Sequence, residues 1–558
     1  GIFGVLQTNG NFYPVFDSIK VDKETGGQLV DEEINENKDV FDKWEIIEDL
    51  RRLSYCVDGI FIASDPDAEG EKIAYDLFVS LCPFQRFIKR LEFHEVTPKA
   101  LRSALENPQD FNLNRVKAQL ARRVADRWVG FALSQELWKA FNKHTLSAGR
   151  VQTPVLGWVI KRAEEAKQRK YRLTITVGET KFYHDFEEED LAKKVFDELK
   201  DGLNLKVESL FEDEISPPPP YTTDTVLEDA FHFFRFSTSH TMSLLQEMFE
   251  LGLITYHRTD STRISEVGRF QVARPYITQN FGEEYFYPRE WTSPGAHEGI
   301  RPTNPWDVSE IKLRVAHGLL SFKNARDSFK LYDLIFRRFM ASQMKKAKAE
   351  KARIVFKTPS YEWQEEIVWD ILAAGYDLMW GRIQTLKPLL GEIKGSILLK
   401  DLKAELLTIP KTFLYNQGTL IQEMKRRGLG RPSTYVDVVS TLLARRYVFE
   451  LKTGGLVPTS LGKKVYEYLV SRYSAYVSEE FTRALEEFMD KVEEGQAKWD
   501  EICQSLKPLL EKAKVLSAQG SEVSSSPIHH PESSIKSQHS KVDGSTNVPK
   551  PSKRSKKI

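Results

Sequence analysis

Two short stretches bring together residue types that phosphate chemistry needs. Asp65, Asp67 and Glu69 stand as D-x-D-x-E within DGIFIASDPDAEGEKIAYDLF, residues 58–78. In a loop, alternate residues can converge on one side. Three hard carboxylate oxygens suit Mg²⁺, which keeps several waters and is usually shared with a phosphate. The plainer alternative is an acidic helix N-terminus, where carboxylates complement the helix dipole. The second stretch is LGLITYHRTDSTRIS, residues 251–265, with Tyr256 after a short apolar run. A phenol is a poor nucleophile at neutral pH because its pKa is about 10. The guanidinium of Arg258 could favour the phenolate and clamp a phosphate oxygen in a bidentate manner. Tyr256 with Arg258 is therefore a candidate phosphoryl-transfer pair. Its alternative is a tyrosine packed at a strand end before a hydrophilic turn.

Other stretches could hold the phosphate or its chain. GAHEGIRPT, residues 295–303, contributes His297, Glu298 and Arg301. A histidine beside a phosphate can donate a hydrogen bond or assist proton transfer, and its alternative is a capping or core histidine. The stretch is not H-E-x-x-H, so zinc-protease chemistry is unsupported. LSAGRVQTPVL, residues 146–156, is a small-residue turn with Arg150 and Gln152, and small residues let backbone approach a phosphate chain. With Arg122, Arg123 and Arg127 it suggests a basic groove, against the alternative of a helix–helix turn with solvated arginines. Gly430-Arg431-Pro432-Ser433-Thr434 reads as a turn into a helix N-terminus capped by Ser433 or Thr434, where free N–H groups can hold a phosphate. That helix carries Arg445 and Arg446. A further basic stretch, residues 344–353, reads equally as a solvated face. No G-x-x-x-x-G-K-[ST] sequence exists, so the chain has no evident ATP-binding P-loop.

Elements must position these residues. Gly59 to Ala63 reads as a short buried strand and Gly70 opens a helix with Ile73, Ala74 and Leu77 on one face, an α/β arrangement. Phe87 to Phe93 reads as another strand. Residues 112–170 read as helices, with Val116, Leu120, Val124 and Trp128 at helical spacing. Residues 171–212 are strand-like, Pro217–Pro220 is a stiff connector, 224–330 are mainly helical, 352–410 alternate again, and 417–515 return to helices. Strand-rich material on both sides of a helical block predicts an insertion. From about 518 the chain is rich in Ser, Pro, His and Lys and basic at its end, which predicts a disordered tail.

Length and composition agree with several folded domains. The 558 residues suggest roughly three to four, and 41% hydrophobic with 29% charged residues excludes collagen-like, wholly disordered and disulfide-scaffold classes. The 80 basic and 80 acidic residues balance, which leaves a nucleic-acid partner open because binding depends on where charge sits. Cys56, Cys82 and Cys503 lie far apart, so no zinc ribbon or finger is expected and a reducing, cytoplasmic compartment is. No apolar run predicts a membrane span, and the start, GIFGVLQTNG, has no secretory signal.

Taken in order, the motifs resemble type IA DNA topoisomerases, and more closely the topoisomerase half of reverse gyrase. DPDAEGEKIA matches the family's Toprim acidic motif; FHEVT, QLARRVADRWVGF, LSAGRVQTPVLGWVI, GLITYHRTDSTRIS, PGAHEGIRPTNP and GRPSTYVDVVSTLLARRYV follow it. One such motif is weak, and this series in order is highly specific. His257 and the wording PGAHEGIRPTNP favour the reverse gyrase branch. The resemblance implies a multidomain α/β and α+β toroidal fold: Toprim domain over 1–97, helical gate over 98–170 and 411–517, β-rich arch over 171–223 and 331–410, inserted helical domain with the tyrosine over 224–330, and basic tail over 518–558.

Residue by residue, the resemblance makes Tyr256 the nucleophile that keeps the 5′-phosphate, with Arg258 stabilising the transferring phosphate and His297 beside it. Asp65, Asp67 and Glu69 become the Mg²⁺ ligands. Arg90, Arg122, Asp126, Arg150 and Gln152 match positions associated with the cleaved strand, and Arg301 and Arg431 join the DNA-binding set. The family's Toprim domain opens with an E-S-P-x-K-like element, which this sequence lacks; residues 17–35 lack the Cys cluster common in reverse gyrases. The expectation is a fragment or split subunit, with ATP entering only through a separate helicase-like half and DNA, as a single-stranded segment of a duplex, as substrate. The competing expectation is a DNA-binding scaffold subunit that is inactive without the missing Toprim start.

Overall fold

The computed structural model describes residues 4–6, 12–14, 43–177, 180–292, 297–381, 383–385, 396–400, 402–502, 504 and 506–507. The tail from 518 and the stretch 17–35 lie outside the described residues. Four apolar cores organise the rest.

The smallest core belongs to a β-α-β unit. Strands Ile60–Ile62 and Ile88–Arg90 pair in parallel, Ile62 opposite Arg90. Parallel neighbours need a crossover, here the helix Ala68–Leu81, and Ile62, Ala74, Leu81 and Ile88 fill the space between. The strand expected over Phe87–Phe93 is paired only over Ile88–Arg90. The helix starts two residues before the expected Gly70, because the Asp67 carboxylate accepts the Gly70 N–H at 2.7 Å and caps the first turn.

The second core joins distant parts of the chain. The 29-residue helix Leu113–Phe141 packs with Gln152–Glu165, and with Gln417–Arg426, Tyr435–Ala444, Ser460–Val477 and Glu479–Glu493. Its buried stripe is Ala121, Ala125, Val129, Leu133 and Leu137. The face expected from Val116, Leu120, Val124 and Trp128 is only partly right, since Trp128 is 37% exposed. Alanines on one stripe let neighbouring helices approach closely, and reading for large apolar residues overlooks them.

The third core is built on sheets. One has the order Ser396–Leu399, Leu203–Ile215, Ala347–Lys357, Glu362–Ala373; the other has Lys403–Pro410, Arg169–Val177, Thr180–Phe186. All these pairings are antiparallel. The helix Glu189–Glu198, inside a region read as strands, packs Ala192 and Val195 into this core. The basic stretch 344–353 becomes mostly a strand, and Lys346, Lys348 and Lys351 pair across it with Glu214, Glu212 and Asp213 at 2.9, 2.5 and 2.5 Å. It is a cross-strand ladder of charges.

Leu203–Ile215 and Ala347–Lys357 are neighbours in one sheet, Ile215 opposite Ala347. The helical block between them leaves and re-enters at that point. Its own core runs from Tyr221 to Ala347 and takes in Tyr376 and Met379, so the helix Ala325–Ser342 passes through the expected boundary at 330/331. Among the described residues no helix is long and apolar enough to cross a membrane.

Candidate active site

Tyr256 sits where the inserted block meets the β-α-β unit. A short antiparallel ladder holds it: the Thr255 N–H donates to the Arg301 carbonyl at 2.9 Å, the Thr303 N–H to the Leu253 carbonyl at 3.1 Å, and the Thr255 hydroxyl to the Gly299 carbonyl at 2.8 Å. Beyond the tyrosine, the Thr223 hydroxyl donates to the carbonyls of His257 and Thr259 at 2.7 and 2.9 Å, which fixes the turn. The Tyr256 ring is packed edge-on to Phe249, centroids 5.3 Å apart.

The phenol crosses to the acidic loop. Tyr256 Oη donates to Asp67 Oδ2 at 2.8 Å, a contact between residues 189 apart in sequence. The other Asp67 oxygen caps its helix, so the helix-capping reading of the acidic stretch holds at this residue. Burial, then the charges of Asp67 and Asp65, push the phenol's pKa well above the ordinary value, and Arg258 only partly opposes them. The phenol is thus held protonated, and the expected bias toward phenolate is outweighed. Burial and the neighbouring Asp67 also raise Asp65. Arg258 is held charged by Tyr256, Asp67, Asp65 and Glu69, which outweigh its own burial. Its Nε has no protein partner, so the guanidinium retains a donor for a phosphate oxygen.

The donor set fits a hard cation. Two carboxylates crowded in a half-buried loop, one with its pKa raised by the other, are what a divalent ion would relieve, and Mg²⁺ commonly takes one or two carboxylates plus substrate phosphate. Asp65 and Asp67 supply those oxygens, and Glu69 follows in the first turn of the helix. Among the described residues no three His, Cys, Asp or Glu side chains form a ready cage, so the three acids do not amount to a complete ligand set without further oxygens.

Two histidines line the other side of the phenol. The His297 ring lies 5.7 Å from that of Tyr256, and its Nδ1 is 3.3 Å from Nδ1 of His94. Burial lowers both imidazoles, and His94 lowers His297 further. They meet as neutral rings able to share one proton. His94 was legible only as part of FHEVT. His257 is fully buried, with neither ring nitrogen partnered, and burial, then Arg258, holds its pKa down to about 3.

Three of the arginines expected at DNA lie inside the protein. Arg90 is 1% exposed; its Nε donates to Glu71 at 3.0 Å and its Nη2 to the Asp65 carbonyl at 2.8 Å, so it holds the acidic loop. Arg150 is 2% exposed and pairs with Asp126 at 2.5 Å and Glu486 at 2.9 Å. Arg301 is 2% exposed and pairs with Glu298 at 2.6 Å and Glu95 at 3.1 Å. Charge in a sequence does not reveal that carboxylates elsewhere neutralise it. Arg122, Asp126 and Arg431 remain partly accessible, and Gln152 lies at the start of its helix with Nε2 unpartnered. Glu486, which sequence reasoning missed, lies within 3.7, 2.9 and 3.4 Å of Arg122, Arg150 and Arg431. Burial opposes its charge, yet those three guanidiniums hold its carboxyl below the usual range. Thr434 is the residue before the helix Tyr435–Ala444, but its hydroxyl turns back to Arg431, accepting from the Arg431 N–H at 3.0 Å, and caps no helical N–H.

A buried tyrosine hydrogen-bonded to the acidic loop of a β-α-β unit, beside a core shared by two helical segments, is the arrangement expected of a type IA topoisomerase, and comparison with known proteins agrees on the family. A DNA topoisomerase family model matches residues 110–504 and a Toprim domain model residues 1–96. The chain belongs to the type IA DNA topoisomerase family. It is 50% identical over 520 residues to reverse gyrase 2 of Aquifex aeolicus, covering 92% of this chain and 44% of that protein. To the reverse gyrase of Pyrococcus furiosus it is 47% identical over 528 residues, covering 91% and 42%. The chain thus spans less than half the length of these relatives. Full-length topoisomerase I of Thermotoga maritima is a structural neighbour, with TM-score 0.69, 33% identity, and 85% and 80% of the two chains covered.

A β-carbon on Gly70 would lie 2.0 Å from the Asp65 carbonyl oxygen, so Gly70→Ala must move the acidic loop. DNA cleavage should fall about 100-fold, the scale of a 1 Å misplacement, with the circular-dichroism spectrum unchanged. Glu486→Gln removes the counter-charge shared by Arg122, Arg150 and Arg431, which keep Asp126 and Asp490, and should cost about 1–3 kcal/mol, read in urea unfolding of the gate helices.

Proposed function

We propose that this chain is the topoisomerase module of a reverse gyrase. It cuts one DNA strand through a 5′-phosphotyrosine at Tyr256, lets another strand pass, and reseals the break. Coupled to the ATP use of a helicase-like half, that cycle drives DNA toward positive supercoils. The observation that carries the reading is the contact of Tyr256 with Asp67, which sets a nucleophile against a hard-cation donor set with a free guanidinium donor beside it.

In the chemical step Tyr256 Oη attacks phosphorus in line and the 3′-oxygen leaves. Asp67 orients the phenol and is the first acceptor its proton can reach. Arg258 spans phosphate oxygens as charge spreads over them. His297, neutral and against the tyrosine ring, can donate a hydrogen bond to a phosphate oxygen, with its ring oriented by His94, and the departing 3′-oxygen takes its proton from water. When bound at Asp65 and Asp67, with Glu69 adjacent, Mg²⁺ would neutralise phosphate charge. The phosphotyrosine ester conserves the energy of the broken bond, so resealing needs no nucleotide. Arg122, Gln152 and Arg431, with Asp126, border the path for the strand, while Arg90, Arg150 and Arg301 act from beneath it.

The test is incubation with Mg²⁺ and end-labelled single-stranded DNA, denaturation, and a search for a covalent adduct. An adduct on the 5′-phosphate side that vanishes in Tyr256→Phe, with DNA affinity within about twofold because one hydroxyl is lost, supports the reading. An adduct that survives the substitution removes Tyr256 from the mechanism; binding without any adduct favours the scaffold alternative. Affinity should also drop at least about tenfold between roughly 50 and 200 mM salt, since phosphate contacts release counterions.

A further inference from the structure

We infer that the segment Glu92–Thr97 is a latch that holds the tyrosine-bearing block on the β-α-β unit, with Glu95 to Arg301 as its breakable clasp and Glu95 as a positioning residue for Tyr256. The inference rests on the strand-passage reading above, which requires these two bodies to separate and return.

The latch attaches at adjacent points. The Tyr256 N–H donates to the His94 carbonyl at 2.8 Å, and Arg301 Nη2 donates to Glu95 Oε2 at 3.1 Å. His94 and Glu95 are neighbours on one side, and Tyr256 and Arg301 lie on the two strands of one ladder on the other. Closing the clasp therefore sets the tyrosine backbone. Glu95 is itself held ready, because its Oε1 accepts the Thr97 hydroxyl at 3.0 Å, and Thr97 caps the next helix through the Ala100 N–H. Backbone also meets backbone: Gly252, at φ +70°, lies so near Val96 that a β-carbon would sit 2.2 Å from the Val96 carbonyl oxygen.

The clasp is built to break. Removing one partner of a buried ion pair usually strands the other charge. Arg301 avoids this, because its Nε stays bonded to Glu298 at 2.6 Å and its Nη1 to the Pro302 carbonyl at 3.1 Å, both in its own block. Glu95 returns to water on opening. Opening the clasp thus costs one charge-assisted hydrogen bond and leaves no orphaned charge in the core.

Residue-resolved hydrogen–deuterium exchange on the whole chain without DNA tests this independently of catalysis. In Glu95→Gln the Tyr256 amide should exchange about tenfold faster, the factor expected for loss of one charge-assisted hydrogen bond. The Thr255 and Thr303 amides, bonded within the ladder, should not change. Gly252→Ala should accelerate the same single amide by wedging the contact. In the cleavage assay both variants should form adduct more slowly, because attack by Tyr256 needs the closed state that the clasp sets. A Tyr256 amide unchanged in both variants, or Thr255 and Thr303 accelerating equally with it, overturns the latch. Should Gly252→Ala fail to fold, Glu95→Gln decides alone. An absent adduct in the unaltered chain counts against the proposed function and leaves the exchange result standing.

Discussion

The hydrogen bond from Tyr256 to Asp67 is the point on which the other arrangements converge. It joins two bodies whose apolar cores are separate, and it puts a buried phenol against two carboxylates. Such a cluster is electrostatically poor in isolation: burial raises the pKa of the phenol and of Asp65 alike. The Arg258 guanidinium opposes the rise at the phenol without cancelling it. On the proposed function, the consequence is a nucleophile kept protonated and out of water until something changes the charge balance. A phosphate with its accompanying cation does that, because it gives Arg258 an anionic partner and gives Asp67 a stronger one than a phenol. Reactivity then depends on substrate arrival, which suits an enzyme that must not leave broken DNA or an exposed phenolate between cycles.

The buried arginines carry this geometry. Arg90 fixes the carbonyl of Asp65 from below and pairs with Glu71; the Glu71 carboxylate in turn accepts the Asn112 N–H at 2.6 Å, at the entry of the long gate helix. The acidic loop is thereby tied to the gate. Arg150 and Arg431 meet at Glu486, which joins the turn after the first gate segment to the helix Glu479–Glu493. Each guanidinium has enough carboxylate or carbonyl partners to make its burial tolerable, and each links segments far apart in sequence. A planar group with five donors suits this role better than an ammonium would.

Much of the site was legible in the sequence because it rests on local pattern. A strand ending in alternating acids, and a tyrosine followed two residues later by arginine, keep their meaning without tertiary information. The inserted helical block was legible too, as a change from period-two to helical patterning and back. What failed was whatever depends on partners. Arg90, Arg150 and Arg301 read as surface charges because Glu71, Glu486 and Glu95 are remote in sequence. The stripe of the helix Leu113–Phe141 was misread because close helix packing buries Ala121 and Ala125, which carry little apolar signal. Phenolate at Tyr256 followed from counting Arg258 alone, whereas the two facing carboxylates come from another body.

The division of labour between cores and contact surface is what the proposed strand passage would demand. Where bodies must stay together, apolar area does the work at about 25 cal/mol per Å²; the two gate segments share one continuous core and remain one unit. Where the tyrosine block meets the β-α-β unit, Val96 is the only hydrophobic residue of that unit among those packed against the tyrosine block's core. The other contacts there include hydrogen bonds from Tyr256 to Asp67 and to His94, from Arg301 to Glu95, and from Lys99 to Gln271 at 3.1 Å, and the meeting of the His297 and His94 rings. Polar contacts exchange for water at small net cost, and they are directional. An interface made of them can open without exposing a core and can close again in only one register. For a tyrosine that must return to a severed strand with its phosphate in line, that combination of low opening cost and fixed closing geometry is the physical requirement.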